Sequence, residues 1–318
     1  MARPMGSVRL KKANPITLLL GAILSIFVIG FLVLPIGSSS SDSDSKKPAS
    51  PAVHHLSPPT APYRKVAEAD RKPPPVTKEG NAATTALQEQ ITRTQKRGPE
   101  KDRFKSIVIL RQDFEPAITS QDESERHKMQ NQKGRRAVMS KARNSLLFTT
   151  LGPQTSWVLW LDADIIETPP TLIQDLARHD KPVIVPNCFQ KYVNAETKKT
   201  EERAYDFNSW QDSEIAQKLG AEMGRDEILL EGYKDMPTYR SLMAYMGQEG
   251  KDEHYEIMLD GVGGTALLVK ADVHRDGAMF PPFAFYHLIE TEGFAKMAKR
   301  LGWQPYGLPN YKVYHYNE

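Results

Sequence analysis

The sequence predicts an α/β domain with a mostly parallel sheet, held behind a single membrane anchor. Three observations carry that expectation. Strand-like and helix-like segments alternate from about Phe104 onward, which is the pattern of βαβ units. One strand-like segment, Trp157 to Leu161, runs into Asp162-Ala163-Asp164, and open α/β sheets bind ligands beyond the C-terminal ends of their strands. Finally, Ile16 to Ile36 contains no charged residue, and about 20 such residues cross a bilayer core of roughly 30 Å.

Arg3, Arg9, Lys11 and Lys12 precede the apolar run, and Asp42 and Asp44 follow it. The positive-inside rule therefore assigns residues 1–15 to a cytosolic tail and everything past the 16–36 span to the lumen. The run is longer than a signal-peptide core and no small-residue cleavage pattern follows, which favours an uncleaved anchor. Residues 37–83 are rich in Ser, Pro and charge and read as a disordered, extended stalk. A lumenal domain is expected over 84–318. Thr84 to Arg97 has the pattern of an amphipathic helix, Lys105 to Leu110 that of a buried strand, and Glu123 to His127 that of a charged loop or helix start. In Gly134 to Leu151, Ala137, Met139, Ala142, Leu146 and Leu147 recur at helical spacing. Pro169 and Pro170 open a helix expected over Thr171 to Arg178. Pro182 to Pro186 reads as a short buried strand, Leu259 to Lys270 as a glycine-broken strand or hairpin, and Ile289 to Leu301 as a helix.

The formal charge is +3 over 318 residues, and no basic run interleaves with aromatics, so nucleic-acid binding has little support. Cys188 is the one cysteine. That excludes an intrachain disulfide framework and a multi-cysteine zinc site, and its apolar surroundings make it a small buried residue. The chain has no Asn-x-Ser/Thr sequon.

Asp162 and Asp164 emerge on the same side where the strand ends, because alternate strand residues share a face. Two carboxylates so close repel unless a cation lies between them, and hard divalent ions such as Mn²⁺ or Mg²⁺ take oxygen ligands together with a substrate diphosphate. Asp-x-Asp alone is equally an ordinary turn after a buried strand.

Longer stretches carry a more specific signal. RRAVMSKARNSLLF, SWVLWLDADIIETPPTLIQDL, YDFNSWQDSE, EGYKDMPTYRSLMAYM, LDGVGGTALLVKADVHRDGAMFPPF, FYHLIETEGFAKMAKRLG and YGLPNYKVYHYNE resemble the fungal Golgi mannosyltransferase family of the mannan polymerase complexes, over most of the chain after Phe104. The resemblance implies a glycosyltransferase-A fold, GDP-mannose as donor, Mn²⁺ as cofactor, and α-1,6-linked mannan built on N-glycans by a hetero-oligomeric complex in the Golgi membrane.

On that footing Asp162 and Asp164 are candidate metal ligands, and His315 is the candidate third; by itself it is equally a surface histidine near a terminus. Glu290 and Glu292 stand at a helix start, where acids are common, and are candidates for orienting an acceptor hydroxyl or supporting an oxocarbenium-like transition state. Glu292 is placed slightly ahead. Asp260, before Gly261-Val262-Gly263-Gly264, is a candidate for binding sugar hydroxyls, or else part of a tight turn. Of the basic residues on the helix before the Asp-x-Asp strand, Arg143 and Asn144 are the candidates for the donor diphosphate, although a charge run is usually a solvated face. Tyr205 to Gln211 reads either as an acceptor-side loop or as core aromatics. Transfer from GDP-α-mannose into an α-linkage is retention, and with no obvious nucleophile a front-face route assisted by the leaving phosphate is expected.

Family members open the domain with two further strands, one ending in a Leu-Thr-Pro-Leu-like nucleotide contact and the next in a Ser-Asp-Ser-rich end. Neither has a counterpart before Lys105, and in the expected sheet order both lie between the Lys105 and Trp157 strands. Their absence exposes a sheet edge and removes much of a guanosine pocket. The alternative to an active transferase is therefore a truncated, catalytically impaired structural subunit of a mannosyltransferase complex.

Overall fold

The computed structural model describes residues 78–96, 103–110 and 128–317. The expected membrane span, the stalk up to residue 77 and the Glu123–His127 segment lie outside the described residues. Among the described residues no helix is long and apolar enough to cross a membrane.

The centre is a seven-stranded sheet in the order β1-β8-β3-β9-β2, with β4 on β3 and β7 on β9. The strands are β1 (Trp157–Leu161), β2 (Ile165–Glu167), β3 (Val183–Val193), β4 (Thr200–Ala204), β7 (Ile257–Met258), β8 (Ala266–Lys270) and β9 (Pro305–His315). A separate two-stranded ribbon joins β5 (Trp210–Gln211) to β6 (Ser241–Leu242). The helices are α1 (Lys78–Lys96), α2 (Met129–Thr150), α3 (Leu172–Arg178), α4 (Glu214–Glu222), α5 (Ala271–Arg275) and α6 (Glu290–Arg300).

The sheet is not mostly parallel. Among the described residues only β3 and β9 pair in parallel; β8 runs antiparallel to both β1 and β3. It follows that β1, β3 and β9 share one direction, as the alternation of strands and helices implies, and β8 is a reversed strand inserted between β1 and β3. Residues 259–270 form no hairpin either, because β7 pairs with β9 while β8 pairs two strands away. Strand β3 continues well past Pro186. A register shift between Pro186 and Asn187 lets the ladder accommodate a residue with no N–H to donate.

Both faces of the sheet are covered. Val158 and Trp160 on one side of β1 join Val183, Val185, Phe280 and Phe294 in a core shared with α2 and α6. Leu159 on the other side meets Leu172, Leu176, Ile184 and Val313, beneath α3. This three-layer arrangement is what the continuous apolar runs of β1 and β3 require.

Two expectations fail near the start. Helix α1 begins at Lys78 rather than Thr84, and residues 105–110 form no strand. The Phe104 amide donates to Gln95 Oε1 and its carbonyl accepts from Gln95 Nε2, tying the segment to α1 and leaving Val108 exposed. The segment is held by α1 and not by the sheet: among the described residues β1 has a strand only on its β8 side, and Lys105 to Leu110 does not pair with its open edge.

Candidate functional site

Strand β1 ends under α2, and β9 ends beside β2, so their last residues meet. Ile165 pairs with His315, and Nε2 of His315 lies 3.0 Å from Oδ2 of Asp164. His315 is 2% exposed, not a surface residue at a loose end. Tyr205 stacks on its ring at 3.8 Å between centroids, and its Nδ1 lies 2.7 Å from the Tyr316 carbonyl. A carbonyl only accepts, so Nδ1 carries a proton, and Nε2 faces the carboxylate either as the second donor of an imidazolium or as a lone pair turned to a shared cation. Two electron-rich groups at that distance call for a proton or a cation, and a histidine oriented by a carbonyl is the usual second-shell arrangement behind a metal ligand. Asp164 Oδ1 is buried without a hydrogen-bond partner among the described residues. The donor set therefore suits a hard cation.

Asp162 does not complete the set. Its Oδ1 takes a hydrogen bond from Arg143 Nη2 at 2.9 Å, and among the described residues no three His, Cys, Asp or Glu side chains converge closely enough to hold a metal ion. The expected triad of Asp162, Asp164 and His315 is thus a pair plus an acid drawn to an arginine. Burial pushes the Asp162 carboxyl up to about 6; Arg143 opposes this, and the neighbouring charges of Asp164 and Glu290 add to it.

Arg143 also reaches Glu290, Nε to Oε1 at 3.3 Å, so one guanidinium bridges the strand-end acid and the first residue of α6. Its Nη1 is buried without a partner among the described residues, which leaves a donor for an anionic oxygen. Asn144 does not face this cluster. Its Nδ2 donates to the Phe280 carbonyl at 2.6 Å, and its Oδ1 accepts from the Phe280 amide at 2.9 Å; this is a clamp between α2 and the loop before α6, not a phosphate contact.

Glu292 is fully buried with both oxygens taken, Oε2 by Arg136 Nη1 at 2.5 Å and Oε1 by Trp210 Nε1 at 2.9 Å. Burial raises its pKa, against the pull of Arg136 and Arg240. Burial also works against the charge of Arg136, yet the Glu292 and Glu290 carboxylates hold its pKa above the usual range. Of the two α6 acids, Glu290 is the one joined to Asp162 through Arg143. Asp260 is tied elsewhere, accepting from the Asp212 amide at 2.8 Å and paired with Lys299. These contacts hold its pKa low despite partial burial.

The glycines after Asp260 make room for side chains rather than for a ligand. A Cβ at Gly261 would lie 2.3 Å from Trp210, at Gly263 1.6 Å from Asp206 Oδ2, and at Gly264 2.8 Å from Arg143 Nη2. In the Tyr205–Gln211 segment Trp210 is core, and Asp206 is a buried acid that accepts from the Asn208 amide at 2.8 Å. Sequence reasoning gave no individual role to Arg136 or Asp206, both buried and both bonded across the chain, to Glu292 and to Thr265. A period-based signal did exist for Arg136: Gln132, Arg136, Ser140, Arg143 and Leu147 form one buried stripe of α2, polar where an apolar stripe was sought. Cys188 is buried as expected, and burial pushes its thiol pKa up.

The profile of the family described as Anp1 matches residues 74–284. The mannan polymerase complex subunit mnn9 of Schizosaccharomyces pombe is 57% identical over 244 residues, covering 77% of this chain and 70% of the relative. The corresponding MNN9 subunit of Candida albicans is 56% identical over 244 residues, covering 77% of this chain and 66% of its own length. The mannan polymerase II complex ANP1 subunit of Saccharomyces cerevisiae is 37% identical over 232 residues, covering 73% of this chain and 46% of the relative. The chain thus spans about two thirds of the first two relatives and less than half of the third.

Proposed function

The chain belongs to the Anp1 family, and from that premise we propose that it is a mannosyltransferase subunit of a mannan polymerase complex, moving mannose from GDP-mannose onto the α-1,6 mannan backbone of N-glycans. Residues 16–36 anchor it as a single-pass protein of the Golgi membrane, with the α/β domain in the lumen. The observation that carries the catalytic reading is the contact between His315 at the end of β9 and Asp164 just before β2, where Asp164 keeps a buried oxygen without a hydrogen-bond partner among the described residues.

Asp164 and His315 would hold Mn²⁺, joined by Asp162 when that acid exchanges Arg143 for the ion. When bound, the ion supplies Lewis-acid neutralisation of the diphosphate leaving group. Arg143, released in the same exchange, offers its guanidinium to a phosphate oxygen, and Glu290, bridged to it, orients the acceptor hydroxyl. No carboxylate is placed as an open nucleophile, which favours a front-face departure of the phosphate. Arg136, Trp210 and Glu292 hold the floor of the site rigid.

A second reading has its own support. Among the described residues β1 has a strand on one side only, and Arg103 to Val108 are exposed, a reduced sheet edge that a non-catalytic subunit of the complex would permit. Calorimetry of the full-length chain with GDP and Mn²⁺ separates the two. Manganese-dependent GDP binding that is lost in Asp164→Asn supports the transferase, and no binding in the unmodified chain leaves the structural subunit.

A further inference from the structure

Strands β3 and β9 build a second feature on the face turned away from His315. In their parallel register Asn187 pairs with Lys312 and Gln190 with His315. Successive strand residues alternate faces, so Asn187, Phe189 and Lys312 lie on the side opposite Gln190 and His315. There they line a cleft of about 500 Å³, walled by Tyr245 and by the loop from Gly247 to Lys251.

The wall is built rather than loose. Asn310 Nδ2 donates to the carbonyls of Gln248, Lys251 and Asp252, and its Oδ1 accepts from the Gln248 amide. One side chain therefore pins the whole loop to β9. At the opposite wall Tyr245 is 71% exposed, with Phe207 stacked near it at 6.0 Å; Lys312 Nζ lies over the Phe189 ring. Asn187 is almost completely buried. Its Nδ2 donates to the Met243 and Pro309 carbonyls at 3.2 and 2.9 Å, which fixes the amide orientation, while its Oδ1 has no hydrogen-bond partner among the described residues. A buried acceptor without a donor is rare in folded proteins, and here it belongs to a residue that lines the cleft.

An exposed ring, a fixed amide acceptor and a rim of both charge signs (Glu249, Glu253, Lys251, Lys312) match a neutral polyol better than an anion or an apolar ligand. Ring faces take the C–H side of a sugar, and the amide and charged groups take its hydroxyls. We propose that this cleft is a second, non-catalytic carbohydrate site that holds a segment of mannan chain on the sheet face opposite His315. The choice of mannose rests on the proposed function; the site itself rests on the cleft.

The test is saturation-transfer NMR on the full-length chain with α-1,6-linked mannotetraose, without GDP or Mn²⁺, and with β-1,4-linked cellotetraose as control. Mannotetraose binds, cellotetraose binds more weakly, and Tyr245→Ala weakens mannotetraose binding about tenfold, as loss of an aromatic contact implies. Tyr245→Phe, which keeps the ring, retains it. Tyr245 is the residue to change because its exposure spares the fold, whereas Asn187 supports two carbonyls. Absence of binding, or binding that persists in Tyr245→Ala and disappears in Asp164→Asn, overturns the proposal by moving the sugar to the acid cluster. Binding at Tyr245 in a chain that takes up no GDP sustains it while removing the transferase reading.

Discussion

His315 and Asp164 face one another at 3.0 Å, and the Tyr316 carbonyl accepts the Nδ1 proton on the far side of the imidazole. The contact joins the end of β9 to the residue just before β2, so the last strand of the domain closes the site opened by β1. Removing either partner therefore tests the cation. With GDP and Mn²⁺ at about a hundred times their dissociation constant, the unmodified chain gains roughly 2.7 kcal/mol of stability, read as a rise in unfolding temperature. Asp164→Asn keeps the shape of the side chain and loses that rise. His315→Ala loses it too, and unfolds earlier without ligand because the stacked Tyr205 ring is left beside a cavity. An unchanged manganese-dependent rise in both variants rules this pair out as the cation site.

Arg136 and Glu292 form a deeply buried ion pair beside the site. Taking away one charge strands the other in a place water does not reach, which costs about 3–5 kcal/mol. Arg136→Met is expected to lose that much in urea unfolding, and Arg136→Met with Glu292→Gln distinctly less, since Gln can still accept from Trp210. The two changes are thus strongly non-additive. Additive losses would mean that the pair does not stabilise the floor as a unit.

The elements were legible where periodicity alone decides. The Trp157 strand and the helices around Ala142 and Phe294 fall within a few residues of expectation. Strand direction was not legible, because an alternating or continuous apolar run reads the same both ways; the reversed β8 is invisible until its register with β1 and β3 is known. The site followed the same division. Asp162 and Asp164 announce themselves by local spacing, and His315 came through likeness to other chains. The partner of Arg136 could not be read, since a buried arginine and a solvated one look alike until Glu292 is brought across from α6. Asn144 erred in the opposite direction: adjacent to Arg143 in sequence, it turns its amide to Phe280.

Gly263 and Gly250 should respond differently to the same substitution. Gly263 has no positive φ, but its added Cβ would fall 1.6 Å from Asp206 Oδ2. Gly263→Ala must displace a buried carboxylate that anchors Asn208, and overpacking of this kind costs more than about 2 kcal/mol. Gly250 has φ +82 with nothing within 4 Å of the added Cβ, so Gly250→Ala carries only the left-handed backbone penalty of about 1 kcal/mol. Urea midpoints of the two variants give the order. Equal losses would show that the Gly263 loop can yield, and that its close approach to Asp206 is not required.

His274 supplies a pH dependence separate from the site. Its Nδ1 donates to the Ala278 carbonyl at 2.8 Å, and its Nε2 accepts from Trp160 Nε1 at 3.2 Å. The ring is therefore held neutral in the core between β1 and α6, and burial pushes its pKa down from the ordinary 6.5 to about 4, against a smaller pull from the Ala278 carbonyl. Unfolding frees the ring to take a proton below pH 6.5, so the unfolded state binds more protons throughout that window. Stability is full above pH 6.5, falls as the pH drops, and has lost about 3 kcal/mol by the time the pH nears 4. His274→Gln loses the ring packing at every pH but removes the titration. Urea unfolding free energies at pH 7 and pH 5 should differ for the unmodified chain by about 2 kcal/mol more than for His274→Gln, whereas parallel profiles would place the acid sensitivity in the carboxylates instead.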